Sequence, residues 1–447
     1  MIFSSIDFIF HFLPVFLAVY FAVPYRWKNW ILLGGSLAFY IWGAWKHPLY
    51  LLLLILASAV AYLLGRKMAK CKSAGGKKLC LLAGLAYSLG LLAFFKYQHS
   101  LPLGISFYTF QVCSYLIDVY RGTIPAERSL PRLSTWVCMF PQLLSGPLTR
   151  YGDISKRLKN RTHSMDGLEE GFRFFTVGLG MKVLIANQVG NLWKQTFAIG
   201  FESISTPMAW LGLLAYSLQI YFDFYGYSMM ASGLGRIMGF QFPDNFRQPY
   251  LSVSMTEFWR RWHMTLGAWF KDYVYIPLGG SRNGKAKTIR NLFVVWVLTG
   301  IWHGAGWNFV LWGLLMFGLI AIEKLGFIRF LEKNPVLGHL YMAFWIPIGW
   351  LVFAVEDVSM IRVYLMRLFP FLGDTSAAVF AGDYLKYGEA YALSLILGIL
   401  CIGRIPEKFL NRKKHGVLTA AVLLIVFWGS IYCIWKGMDD PFLYFSF

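Results

Sequence analysis

The run Pro48-Leu-Tyr-Leu-Leu-Leu-Leu-Ile-Leu-Ala-Ser-Ala-Val-Ala-Tyr-Leu-Leu-Gly65 holds no charged residue and is followed at once by Arg66, Lys67, Lys70 and Lys72. An apolar stretch of this length matches a bilayer core, which a helix crosses in about 17–25 residues. The basic cluster marks the side on which the span stops, because Lys and Arg stay on the cytosolic face. Similar runs recur along the chain, near 6–24, 29–45, 79–97, 101–120, 172–195, 207–232, 291–304, 307–323, 340–356, 389–403 and 416–436. Only helices satisfy their own backbone inside lipid, so the pattern predicts an all-α polytopic membrane helix bundle. About 11–12 spanning helices are expected, with re-entrant or interfacial helices besides.

Composition agrees. Hydrophobic residues make up 57% of the 447, charged residues 14%, and the mean hydropathy is +0.53. Soluble domains carry about a quarter charged residues. The length prior of two or three soluble domains therefore gives way to one integral-membrane domain over 1–447. The net charge of +20 does not imply nucleic-acid binding, since an N-out threading places about 34 of the Lys and Arg in cytosolic loops. Dense basic loops lie at 66–78, at Arg150, Lys156, Arg157, Lys159 and Arg161, and at Arg404, Lys408, Arg412, Lys413 and Lys414. Both termini then face outward, the aromatic tail Pro441–Phe447 included. No Lys or Arg precedes the first apolar run, so it reads as a retained span and not a secretory signal. Six scattered cysteines without a CxxC pair predict neither a disulfide framework nor a zinc site.

Two stretches do not read as spans. Trp136–Leu148 contains Pro141, Gly146 and Pro147 and suits a re-entrant segment wrapped by protein. The polar stretch 233–290 is rich in aromatics and reads as interfacial or buried helices on the cytosolic side. No repeat of fixed period is visible.

Two of the eight histidines stand out. His303 lies in Thr-Gly-Ile-Trp-His-Gly-Ala-Gly-Trp (299–307), inside an otherwise apolar stretch. An ionisable group at membrane depth is costly and marks a cavity or pathway. The bland alternative is a neutral His bonded to a neighbouring carbonyl. Gly300, Gly304, Ala305 and Gly306 beside it permit close approach of another backbone or a slender substrate. His263 lies in Glu-Phe-Trp-Arg-Arg-Trp-His-Met-Thr-Leu-Gly-Ala-Trp-Phe-Lys-Asp-Tyr (257–273). There Trp259, Trp262, Leu266, Trp269 and Tyr273 fit one face of a helix. Arg260, Arg261 and Lys271 are placed to meet phosphates, or equally anionic lipid, if this is a headgroup helix. Asp223 is costly unless it faces the bundle interior, where an interhelical hydrogen bond is its simplest role. No Walker sequence, GxSxG elbow or HExxH helix is present.

With these motifs in hand, the chain resembles the membrane-bound O-acyltransferase family, in its bacterial alginate O-acetylation branch. The resemblance is carried by ordered blocks: Phe-Pro-Gln-Leu-Leu-Ser-Gly-Pro-Leu-Thr-Arg-Tyr (140–151), Tyr-Phe-Asp-Phe-Tyr-Gly-Tyr-Ser (221–228) and Asn-Phe-Arg-Gln-Pro-Tyr (245–250). Glu-Phe-Trp-Arg-Arg-Trp-His (257–263), Asp-Tyr-Val-Tyr-Ile-Pro-Leu-Gly-Gly (272–280) and Trp-His-Gly (302–304) follow. The blocks are densest from about 100 to 315, with peripheral spans at 1–97 and 340–447. The branch usually has Asp where Met229 stands and often Ser where Gly267 stands.

The resemblance implies that His303 is the histidine of the acyl-transfer step. His263 corresponds to a second polar position that is Asn in many eukaryotic relatives. Arg260, Arg261, Trp302, Asp223 and Gln142 fall among the expected donor- or substrate-binding residues. The implied function is O-acyl transfer, most simply of acetyl, from a cytosolic thioester toward an extracytoplasmic polysaccharide. The donor would be acetyl-CoA or an acyl-carrier thioester, with no tightly bound cofactor and no metal. The implied location is a bacterial cytoplasmic membrane. The implied partner is an extracytoplasmic SGNH-type acetyltransferase. His303 would act as general base, or less simply through an acyl-His, with the 136–148 segment as a tunnel wall. D-alanyl transfer to teichoic acid is the rival within the family. A secondary transporter or flippase is the rival of another class, although the matching interrupted halves it calls for are not visible.

Overall fold

The computed structural model describes residues 2–98, 101–373, 377–403, 405–410 and 416–437. Among them the chain is all-α, with no strand. Helices occupy every candidate span. Pro48–Lys70, Ala74–Tyr97, Trp307–Lys333, Pro335–Ala354 and Val417–Trp435 are long and apolar enough to cross a membrane, and the bent pair Asp383–Ala390 and Ala392–Ile402 makes a sixth. The expected tail at Pro441–Phe447, and Arg404, Arg412, Lys413 and Lys414 of the third basic loop, lie outside the described residues.

The chain divides into two compact units, Met1–Gly178 with Tyr227–Asp244, and Leu179–Gly226 with Asn245–Phe447. In the first, Pro48–Lys70, Ala74–Tyr97 and Ile105–Arg121 pack on one another, and Lys28–Gly43 packs on Leu130–Cys138. Every residue from Trp136 to Leu148 is buried, in one helix end and the short helix Phe140–Leu143. That is where a proline-broken apolar segment has to lie, because its unpaired backbone must find protein partners. Phe140 N–H, for example, donates to Ser36 Oγ at 3.1 Å.

The second unit is organised by the hairpin of Lys285–His303 and Trp307–Ile322, with Pro335–Ala354 packed on the latter. The hairpin is tight because glycine removes the side chains at the crossing. A Cβ on Gly300 would sit 2.5 Å from the Phe309 carbonyl oxygen, and one on Gly313 2.6 Å from that of Trp296. Of the small residues foreseen beside His303, Gly300 thus serves the approach of a neighbouring backbone, while Gly304 makes room for the Phe309 ring.

Asp223 has a partner that sequence pattern did not flag. Lys182 Nζ lies 2.6 Å from its carboxylate and 3.0 Å from Asn187 Oδ1. Lys182 is fully buried in a π-helical stretch, Met181–Ala186. The interhelical bond expected of Asp223 is therefore an ion pair. Removing one partner strands the other charge in the interior at a cost of about 3–5 kcal/mol, whereas replacing both with apolar residues is tolerated. Lys182→Met is expected to lower the thermal midpoint of the detergent-solubilised protein sharply, and Lys182→Met with Asp223→Leu to recover much of the loss. A double variant as unstable as the single one would show that the pair is not coupled.

Candidate active site

The continuous helix expected over 257–273 is not formed. Met255–Arg261 ends one residue before Trp262, and Met264–Phe270 begins after His263, whose φ of 44° is left-handed. That conformation is uncommon for a residue other than glycine, although His, like Asn and Asp, adopts it more readily than most. What holds it is Asn245. The Asn245 carbonyl accepts from Met264 N–H at 2.9 Å, while its Oδ1 accepts from Thr265 Oγ1 at 2.9 Å and meets His263 Nδ1 at 3.0 Å. The helix before the break is anchored by Glu323, whose carboxylate accepts from Met255 N–H at 2.6 Å and Thr256 N–H at 2.8 Å. An acid on exposed N–H groups at a helix start is favourable twice, by hydrogen bond and by helix dipole.

His263 is 3% exposed, with the Phe224 ring edge-on at 4.7 Å. Burial pushes its imidazole down to about 3, so it is neutral across the physiological range. Because Asn245 Oδ1 can only accept, the ring proton sits on Nδ1 and Nε2 is the basic nitrogen. His263 therefore faces the protein interior and not the surface.

His303 is the last residue of the Lys285–His303 helix. Trp302 flanks it at 4.7 Å, and Trp312 and Phe353 present their rings nearly perpendicular at 5.0 and 4.9 Å. These rings fix its position by packing.

One cavity of about 420 Å³ is lined by both histidines. Thr288, Leu292, Val295, Trp296, Thr299 and His303 contribute one stripe of the Lys285–His303 helix at three- and four-residue steps, so the cavity follows that helix for about 22 Å. Arg260, Lys271 and Lys324 also line it. Thr256 Oγ1 and Trp259 Nε1, both on the wall, are buried without a hydrogen-bond partner in the protein. Buried polar groups are normally satisfied, which makes these two candidates for contact with a bound molecule.

Of the residues singled out by sequence for chemistry, the structure brings His303, His263, Arg260 and Lys271 together on this cavity. Arg261 instead pairs with Glu257 at 2.5 Å. Trp302 packs on His303, and Asp223 is held by Lys182. Gln142 belongs to the other unit, where it bonds the Trp136 carbonyl and accepts from Thr149 Oγ1 at 2.6 Å. Thr256, Thr299, Glu323 and Lys324 were not singled out. The recurrence of Thr288, Leu292, Thr299 and His303 on one helical face was the signal that could have found the wall.

The family model of the membrane-bound O-acyltransferases matches residues 126–365, which contain both histidines. The chain is 35% identical to the probable alginate O-acetylase AlgI of Pseudomonas putida, over the whole of both proteins. It is 40% identical to that of Pseudomonas syringae, covering 93% of this chain and 84% of the relative. The peptidoglycan O-acetyltransferase of Helicobacter pylori is 29% identical over 100% of this chain and 98% of its own. With the family match over more than half its length and such relatives end to end, the chain belongs to the membrane-bound O-acyltransferase family and is an acyltransferase.

Proposed function

We propose that this acyltransferase takes an acetyl group from a cytosolic thioester and delivers it, within one membrane domain, to a hydroxyl acceptor on the far side, for O-acetylation of a cell-surface polysaccharide. The observation that carries the reading is the single cavity that runs along the Lys285–His303 helix and is lined by both His263 and His303. Three cations on its wall, Arg260, Lys271 and Lys324, suit a phosphate-bearing donor such as acetyl-CoA or an acyl-carrier arm. Its apolar and aromatic lining keeps water from the thioester.

His303 acts as general base. The acceptor hydroxyl oxygen attacks the thioester carbonyl while its proton passes to the His303 imidazole. The new C–O bond forms, the C–S bond breaks, and the proton moves on to the departing thiolate. His263, neutral and turned by Asn245, accepts a hydrogen bond beside the donor. Thr256 and Trp259 supply donors to it. Two alignments support an extracytoplasmic glycan as final acceptor, since the relatives' names specify alginate and peptidoglycan. A thioester-dependent membrane protein that serves an exported polymer also calls for an extracytoplasmic SGNH-type partner to finish the transfer. The protein sits in a bacterial cytoplasmic membrane with both termini outside.

His303→Ala and His303→Gln should both lower acetyl ester on the exported polymer by a factor of about a hundred to ten thousand, at unchanged membrane protein level. Gln fills the site and bonds but takes no proton near neutral pH, so near-normal ester in a well-expressed His303→Gln strain would sink the base.

At His263 the expected order is different. Asn tolerates positive φ and can keep the bond to Asn245, so His263→Asn should retain far more ester than His263→Ala. Because burial already holds His263 neutral, with its imidazole near 3, the acid limb of the pH–rate profile between pH 5 and 7 should be the same in His263→Asn as in the parent. A limb that moves would assign that titration to His263.

The orientation is tested by cysteine labelling in a cysteine-free background. A cysteine at Ser73 should react only from the cytosol and one at Asp357 only from outside. Both reacting from one face would reverse the parity of the threading.

A further inference from the structure

In the first unit, two cations share one aromatic ring without an acid between them. Lys28 Nζ lies 4.6 Å from the centre of the Tyr20 ring and Arg161 Cζ 5.7 Å from it. Lys28 is 8% exposed and Arg161 4%. Arg161 is held by Tyr20 Oη at 2.8 Å and Asn29 Oδ1 at 2.6 Å, and against the Phe240 ring at 4.7 Å. Its Nη2 remains buried without a hydrogen-bond partner. Among the described residues no carboxylate pairs with either cation. His163 bonds Tyr20 Oη at 3.2 Å, and its basicity is lowered by burial and then by Lys28 and Arg161. Lys28 is also the first residue of the Lys28–Gly43 helix, the end at which a cation is electrostatically disfavoured. Two buried cations at such a place, Arg161 hydrogen-bonded and Lys28 set only against rings, destabilise the free protein unless an anion joins them.

An apolar groove adjoins this cluster. Its wall is formed by Phe12, Val15, Phe16 and Val19 on one helix and Trp30, Ile31, Gly34 and Trp42 on the next, among others, with a volume of about 510 Å³. Phe12 stacks on Phe16 at 5.8 Å and Phe16 on Tyr20 at 5.7 Å, so one ladder of rings runs from the groove wall to the ring that carries both cations. We propose that this groove and the Lys28–Arg161 pair form a binding site for one anionic phospholipid, an acyl chain lying along Phe12 and Phe16 and the phosphodiester meeting Lys28 and the Arg161 Nη2. Charge complementarity selects the occupant. A zwitterionic lipid would bring its own cation to a site that already holds two, and a free phosphate would leave the groove empty.

The test uses the full chain purified in a neutral detergent, with retained lipid read by native mass spectrometry and stability by thermal denaturation. Phosphatidylglycerol, phosphatidylcholine with the same chains, and inorganic phosphate are added separately. The parent should retain phosphatidylglycerol over phosphatidylcholine by a factor of at least about five, the preference that one cation near a lipid phosphate supplies. Lys28→Gln should reduce that preference roughly fivefold. Gly34→Leu fills the groove at a position where an added Cβ meets nothing within 4 Å. It should therefore fold normally and lose phosphatidylglycerol with both cations intact. Equal retention of the two lipids by the parent, or unchanged phosphatidylglycerol retention in a folded Gly34→Leu protein, overturns the proposal. Stabilisation by inorganic phosphate equal to that by phosphatidylglycerol also overturns it, in favour of a simple anion site.

Discussion

The contact on which the candidate active site depends is between two backbones. Where Gly300 and Gly313 face the carbonyls of Phe309 and Trp296, the helices on either side of the Gly304–Gly306 turn approach closer than any side chain would allow. Lipid offers no hydrophobic drive between helices, so close van der Waals packing of this kind must hold them. The close crossing brings Phe309, Trp312 and Phe353 around the helix end that carries His303. It also fixes the rotation of the Lys285–His303 helix, and with it which stripe of that helix faces the cavity. A wider crossing would turn that stripe, and the wall from Thr288 to Thr299 would face elsewhere.

The two histidines are held by opposite means. His303 is enclosed by rings, which set its position through packing and leave its chemistry to the substrate. His263 is set by a hydrogen-bonded loop in which Asn245 closes an eighteen-residue return, and burial keeps it uncharged. On the proposed reading, one cavity offers a base at His303 and a neutral acceptor at His263.

Much of this was legible in the sequence. The all-α membrane class follows from apolar length, and the cost of an ionisable group at depth picks out His303 as a candidate. The break at His263 was not legible, because Trp259, Trp262, Leu266, Trp269 and Tyr273 keep helical spacing across it. Local periodicity carries no record of Asn245, which acts from a distant loop. Lys182 was hidden for a related reason. A lone Lys in an apolar run reads as an edge of the span, and only the packed structure shows it turned inward onto Asp223. Arg161, counted at first only as a charge that sets orientation, proved to be buried.

The left-handed turn at His263 limits how this position can drift. A His codon reaches Asn, Asp, Tyr, Gln, Leu, Pro or Arg by one base change. Pro cannot adopt a positive φ, and Tyr, Gln, Leu and Arg carry the steric cost of that conformation. Asp tolerates it but would bring a carboxylate into a buried wall. Asn alone keeps both the turn and a neutral polar group. The backbone angle of one residue thus narrows the mutational neighbourhood of the site to a single productive step, independently of what the side chain does for the reaction.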